Sequence, residues 1–158
     1  MKKFELTSEF VTFLGKTLFR IKALVSFGDV AEGELGGFIE RENNLDQSGD
    51  AWVYGDAQVC GDAQVFGDAQ VCGDAQVCGD AWVQNCRDYS ATSCFGSENR
   101  TTTFFRTKDG GISVRCGCFY GTLREFREKV KERHGDSRLA KEYLMLADLM
   151  EFRLSKDE

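Results

Sequence analysis

From Gly49 to Gln84 the chain reads GDAWVY, GDAQVC, GDAQVF, GDAQVC, GDAQVC, GDAWVQ: six hexapeptides without a gap. A fixed period of this kind constrains a fold more than any single motif does. Valine returns at 53, 59, 65, 71, 77 and 83, and alanine at 51, 57, 63, 69, 75 and 81. A period of six fits no α-helix, whose apolar face recurs every ~3.6 residues. It fits short extended sides, each with one branched aliphatic pointing inward, a small residue near the corner and a Gly-Asp turn. The six valines are therefore expected to form the core of this segment.

The turns have to be made from Gly, Asp and Asn, because the 158 residues include no proline, while glycine occurs 17 times. The repeat holds six aspartates, from Asp50 to Asp80, and no Lys, Arg or Glu, so it carries the whole net charge of −6. An acidic segment argues against a nucleic-acid backbone as partner, since that calls for a basic stripe. The period also departs from the nonapeptide of calcium-binding repeats. Each Asp is expected to bond its own turn backbone beside a permissive Gly. The longest uninterrupted apolar run, Tyr143 to Ala147, is far too short to cross a membrane. The opening MKKFELTSEF lacks the apolar stretch of a signal peptide. A cytoplasmic location is expected, with the seven cysteines as reduced thiols.

The frame V-x-G-D-A-x resembles the hexapeptide repeat of left-handed parallel β-helix proteins. That resemblance implies a mainly β fold: a left-handed parallel β-helix over residues 37–96, an N-terminal β lead-in over 1–36 and a small C-terminal α+β appendage over 97–158. In that family three hexapeptides make one coil. Cys60 is then expected to stack on Cys78, Tyr54 on Cys72, Trp52 on Gln70 and Gln64 on Trp82. Gly37-Phe38-Ile39 and Ser93-Cys94-Phe95 are expected as degenerate turns at the two ends. The lead-in, with Gly36-Gly37-Phe38-Ile39-Glu40 and Asn44-Leu45, is similar to uncharacterised β-helix proteins of bacteria and phages, so a phage origin would put the chain in host cytoplasm.

The flanks read differently. Thr17 to Ala23 alternates as a half-buried strand, and Lys3 to Leu6 is expected to pair with it across a turn at Gly15-Lys16. Thr101 to Thr107 and Ile112 to Phe119 are β-rich and joined through Asp109-Gly110, a hairpin signal. Thr122 and Glu125 form a capping box opening a helix whose apolar face is Leu123, Phe126 and Val130, with Gly135 as its end. A second helix is expected from Ser137, with Leu139, Tyr143, Leu146, Leu149 and Met150 inward.

Few residues carry a chemical signal. Cys116 and Cys118, with Cys86 and Cys94, depart from paired zinc-ligand spacing, and buried free thiols are the favoured reading. His134, the only histidine, sits in the last turn of a helix, where a cation suits the dipole. Trp52 and Trp82 occupy a position that is Gln in the other repeats; capping the ends of the repeat is preferred over a surface contact.

Three functions follow. The resemblance includes acyltransferases, which use a histidine base, but the repeat contains no histidine. A purely structural, self-assembling role accounts for the chain without chemistry. The reading carried forward is a non-enzymatic homo-oligomer, dimer or trimer, with no cofactor and no metal. It is expected to bind a small anionic, nucleotide-derived ligand, as a phage accessory protein that sequesters an immune signal does. The repeat supplies no cations for such a ligand, so its site is expected in the appendage or at the junction with it: Arg100, Arg106, Lys108, Arg115 and Tyr120.

Overall fold

A computed structural model describes residues 2–95 and 100–155. The chain opens with β1 (Phe4–Phe13) and β2 (Lys16–Ala23), paired antiparallel with Phe4 opposite Ala23, so the expected pairing is present and its first strand runs on to Phe13. Their turn is Leu14-Gly15, with φ of 51° and 80°, rather than Gly15-Lys16. Two positive φ values suit the twist of a two-residue hairpin loop. β3 (Leu35–Ile39) pairs antiparallel with β2 and parallel with the second hexapeptide. It approaches the repeat so closely that a Cβ at Gly37 would stand 2.5 Å from the Ala57 carbonyl oxygen.

Each hexapeptide supplies one two-residue strand: β4 (Trp52–Val53), β5 (Gln58–Val59), β6 (Gln64–Val65), β7 (Gln70–Val71), β8 (Gln76–Val77) and β9 (Trp82–Val83). They pair in parallel as β4 with β7, β5 with β8 and β6 with β9, placing Trp52 opposite Gln70 and Gln64 opposite Trp82. All six valines are fully buried, and the six alanines are at most 1% exposed. Every turn glycine from Gly49 to Gly79 has positive φ, between 57° and 76°, which an L side chain adopts only under strain. Instead of the expected turn bonds, two of the aspartates meet cations that precede the repeat among the described residues: Asp56 pairs with Arg20 at 3.3 Å and Asp62 with Arg41 at 3.5 Å.

The left-handed parallel β-helix expected as the fold class is corrected by the sheet architecture. The chain is mainly β with two helices, and its larger sheets are mixed or antiparallel. One has five strands in the order β1-β2-β3-β5-β8, one has four antiparallel strands, and two have only two strands. The physical reason is strand length. A Gly-Asp turn every sixth residue stops each repeat strand after two residues, whereas the alternating flanks support strands of ten and eight. Most of the ladder therefore lies in the flanks. Ser93, Cys94 and Phe95 belong to the antiparallel strand β10 (Tyr89–Phe95) and add no turn to the repeat.

The antiparallel sheet is β10, β11 (Arg100–Arg106), β12 (Ile112–Cys116) and β13 (Phe119–Thr122), followed by α1 (Leu123–His134) and α2 (Arg138–Leu154). Successive side chains of β11 face opposite ways. Phe105 joins the core of the repeat, and Phe104 joins a second core with Val114, Phe126, Val130, Tyr143 and Met150. The sheet thus covers the far end of the repeat with one face and carries the helices on the other. It also meets unpaired backbone there: Thr103 Oγ1 accepts from the Gln76 N–H at 2.9 Å, and the Tyr89 hydroxyl donates to the Gln70 carbonyl at 2.7 Å.

Both helix starts follow the sequence. Thr122 and Glu125 cap each other reciprocally, and Ser137 accepts from the Ala140 N–H. Leu149 departs from expectation, being 56% exposed, while Ala147 and Leu154 take inward places.

Candidate functional site

The N-terminal end of the repeat is closed by side chains. Trp52 is fully buried, with the rings of Phe27 and Phe4 edge-on at 5.3 and 6.3 Å. Lys3 is 4% exposed and donates to the carbonyls of Gly49 and Ala51 at 3.2 and 2.8 Å. Its ammonium lies over the Phe27 ring, and burial lowers its pKa. Trp52 is thus a cap, as preferred from the sequence.

Trp82, at the same hexapeptide position, remains half-exposed. Phe66 packs edge-on against it with centroids 4.9 Å apart, and the Lys108 ammonium lies 5.4 Å from its ring centre. Two adjoining clefts share Asn43, Gln64 and Trp82. The first, about 320 Å³, adds Arg41, Asp62, Asp80 and Lys108. The second, about 720 Å³, adds Phe66, Glu42 and Asp46. Arg41 is held by Glu40 at 3.6 Å and Asp62 at 3.5 Å. Asn44 is buried and structural, donating to the carbonyls of Gly61 and Ala63. The groove therefore offers an aromatic face, two cations and exposed amides, among carboxylates that limit how much negative charge it tolerates.

The residues singled out from the sequence do not converge. Arg100 opens β11, and its side chain lies outside the described residues. Arg106 is structural: it bonds the carbonyl oxygens of Leu154 and Ser155 at the end of α2 and pairs with Asp88 at 3.2 Å. Lys108 alone joins the Trp82 groove. Arg115 and Tyr120 come together elsewhere, with the guanidinium 5.5 Å from the Tyr120 ring and 5.2 Å from the Phe13 ring. Sequence reasoning missed Arg41, Asn43, Gln64 and Phe66. The signal for Phe66 and Gln64 was their place beside Trp82 in the stacked register.

Arg115 is 9% exposed, its Nε has no partner, and no carboxylate pairs with it among the described residues. Beside it lie Cys60 and Cys78, brought level by the parallel pairing of β5 with β8. The Cys60 thiol, followed by the Arg115 guanidinium, holds Cys78 below the ordinary thiol value despite burial. Cys60 is pushed up by the same contact and by burial.

His134 stacks on Tyr143 at 5.7 Å, consistent with a place in the helix packing. No cluster of three or more metal-ligating side chains occurs among the described residues. No helix among them is long and apolar enough to cross a membrane. Comparison with known proteins finds no family model that matches the chain and no curated protein similar to it.

Proposed function

We propose that the protein is a non-enzymatic binding protein that holds a small nucleotide-derived ligand in the groove at Trp82. The observation that carries this reading is the half-exposed indole with the Lys108 ammonium 5.4 Å from its centre. A base stacks on the indole, and an anionic group reaches Lys108 and Arg41. The first cleft, near 320 Å³, sits at the small end of ligand-site volumes. Asp62, Asp80, Glu42 and Asp46 oppose a polyanion, so the ligand is one carrying a single phosphate.

Fluorescence titration tests this directly, because Trp52 is sealed and the accessible indole is Trp82. Nucleoside monophosphates should quench emission, and nucleoside triphosphates should bind at least tenfold more weakly. Trp82→Ala should abolish the response and Lys108→Ala should weaken it. Equal quenching by uncharged nucleosides, or no quenching by any nucleotide, refutes the reading. Recovery of intact ligand after denaturation supports sequestration, and turnover overturns the non-enzymatic part.

Self-association belongs to the same reading. Met145, Leu149 and Phe152 are 72%, 56% and 84% exposed at helical spacing on α2. Together they offer roughly 400 Å² of side chain, about half of what one partner of a stable interface supplies. A second copy of the chain is the proposed occupant.

A further inference from the structure

Cys60 and Cys78 occupy the last position of their hexapeptides, a position that points away from the valine core. Its other occupants show this: Tyr54 and Phe66 are half-buried, and Cys72 and Gln84 are exposed. Cys60 and Cys78 are only 3% and 2% exposed. They are covered from outside, by the face that carries Arg115 and Tyr120. The Tyr120 ring stands over the Gly79 turn, next to Cys78, so closely that no side chain fits at Gly79. Two buried thiols and a largely buried guanidinium therefore lie together under one covered face.

The guanidinium is the informative member. It is charged at any ordinary pH, and a buried charge calls for a counter-charge. The aromatic faces of Phe13 and Tyr120 ease its burial without supplying a full negative charge. No carboxylate does so among the described residues, and Nε points into the protein without an acceptor. The two sulfurs beside it can supply that charge as thiolates.

We propose that Cys60 and Cys78 form a two-coordinate site for a soft monovalent cation, Cu(I) in chemical class, with Arg115 as its counter-charge. Neighbouring parallel strands lie roughly 4.8 Å apart, and level cysteines project side by side. That arrangement is poor for a disulfide, which needs the Cβ atoms closer. It suits an ion held between two sulfurs at a little over ~2 Å from each. Two S–metal bonds form, and each sulfur that enters as a thiol loses its S–H proton to solvent. Two thiolates and one monovalent cation leave one negative charge, which Arg115 neutralises. A divalent ion in the same place would leave a buried positive charge and lacks its further ligands, so Zn(II) is disfavoured. The groove at Trp82 plays no part.

The test uses the reduced full-length protein, with Ag(I) as a redox-inert probe and Cu(I) under anaerobic competition with a chromophoric chelator. Native mass spectrometry should show one tightly held ion. The first equivalent should survive in a Cys72→Ser/Cys86→Ser/Cys118→Ser variant, which removes exposed thiols. Cys60→Ser and Cys78→Ser should each weaken it by about a hundredfold, and Arg115→Gln by about tenfold, as loss of a supporting group does. Circular dichroism selects variants that keep the native fold. If Arg115→Gln fails to fold, the wild-type comparison of Ag(I) with Zn(II) stands alone. Loss of the first equivalent with the exposed cysteines, binding of Zn(II) as tight as Ag(I), or no bound ion on the native protein overturns the proposal.

Discussion

Val71 lies in β7, opposite Val53 and fully buried, while its neighbour Gln70 is exposed. The pair separates core from surface within one two-residue strand. Val71→Ala removes two carbons, about 1.6 kcal/mol of transfer free energy at ~0.8 kcal/mol per group. The cavity left behind raises the total to about 2–3 kcal/mol. Val71→Thr keeps the shape but buries a hydroxyl among apolar neighbours, at about 1–3 kcal/mol. Gln70→Ala touches no core and should stay within about 0.5 kcal/mol. For a domain this size each kcal/mol corresponds to about 2–4 °C in Tm. Thermal and urea unfolding should therefore place Val71→Ala roughly 4–12 °C below wild type, with Gln70→Ala indistinguishable from it. Val71→Asp should not fold, because its charge has no partner inside the repeat. If Gln70→Ala costs more than Val71→Ala, or Val71→Ala costs less than about 0.5 kcal/mol, the inward register of the valines is refuted.

Gly37→Ala should destabilise by about 1–3 kcal/mol, because the new carbon meets backbone at 2.5 Å; a urea midpoint equal to wild type refutes the close approach. Phe152→Glu should shift light scattering toward the 17.7 kDa monomer with little change in Tm, and a wild-type protein already monomeric at micromolar concentration refutes the self-association. Burial works to raise the Glu40 carboxyl pKa, but the Gly61 N–H with Lys16 and Arg41 outweighs it, and the net shift is downward. A carboxyl depressed in the folded state adds stability above its unfolded pKa and loses it as pH falls through the folded value. Unfolding free energy should therefore drop between pH 5 and pH 3 in wild type, and drop less in Glu40→Gln; equal slopes refute the assignment.

The sequence was most legible where one physical rule acts locally. A valine at every sixth position has only one way to be buried, so all six inward positions were readable, as were the opposed pairs of Trp52 with Gln70 and Gln64 with Trp82. The caps at Thr122 and Ser137 were readable because orphan N–H groups need an oxygen within three residues. Sheet membership was not. Phe95 continues the apolar spacing of the repeat, yet pairing with β11 satisfies its strand better than one more two-residue strand would. Leu149 sits on a helical apolar stripe, but α2 has more apolar residues than the sheet can cover, and Ala147 and Leu154 take the space. The candidate sites were hardest. Cys60, Cys72 and Cys78 have the same local sequence, and only the elements that fold over them decide that one is exposed and two are sealed. Arg106 and Arg115 read alike along the chain, yet one clamps a helix end and the other lies against two thiols.

The two tryptophans show how the flanks assign roles to equivalent positions. Trp52 and Trp82 are each the fourth residue of identical GDAWV segments, so their own pentapeptides do not distinguish them. At Trp52 the lead-in supplies Phe4, Phe27 and Lys3, which close over the indole and occupy the carbonyls of the adjoining turn. At Trp82 the C-terminal sheet covers the neighbouring backbone: Lys108 N–H bonds the Asp80 carbonyl, and Ala81 bridges Thr107. It stops short of the ring and leaves only an ammonium beside it. Exposing an indole next to a flat aromatic costs hydration that a longer hairpin or one more apolar residue could remove. The same sheet also buries Arg115 without a carboxylate, where an apolar side chain would pack at lower cost. Both departures lie where that sheet meets the repeat: Trp82 belongs to the last hexapeptide and Arg115 to the sheet. A junction selected only for capping would be apolar at both places, so an aromatic left open at Trp82 and a cation placed beside two thiols are the reason to look for function where the sheet meets the repeat.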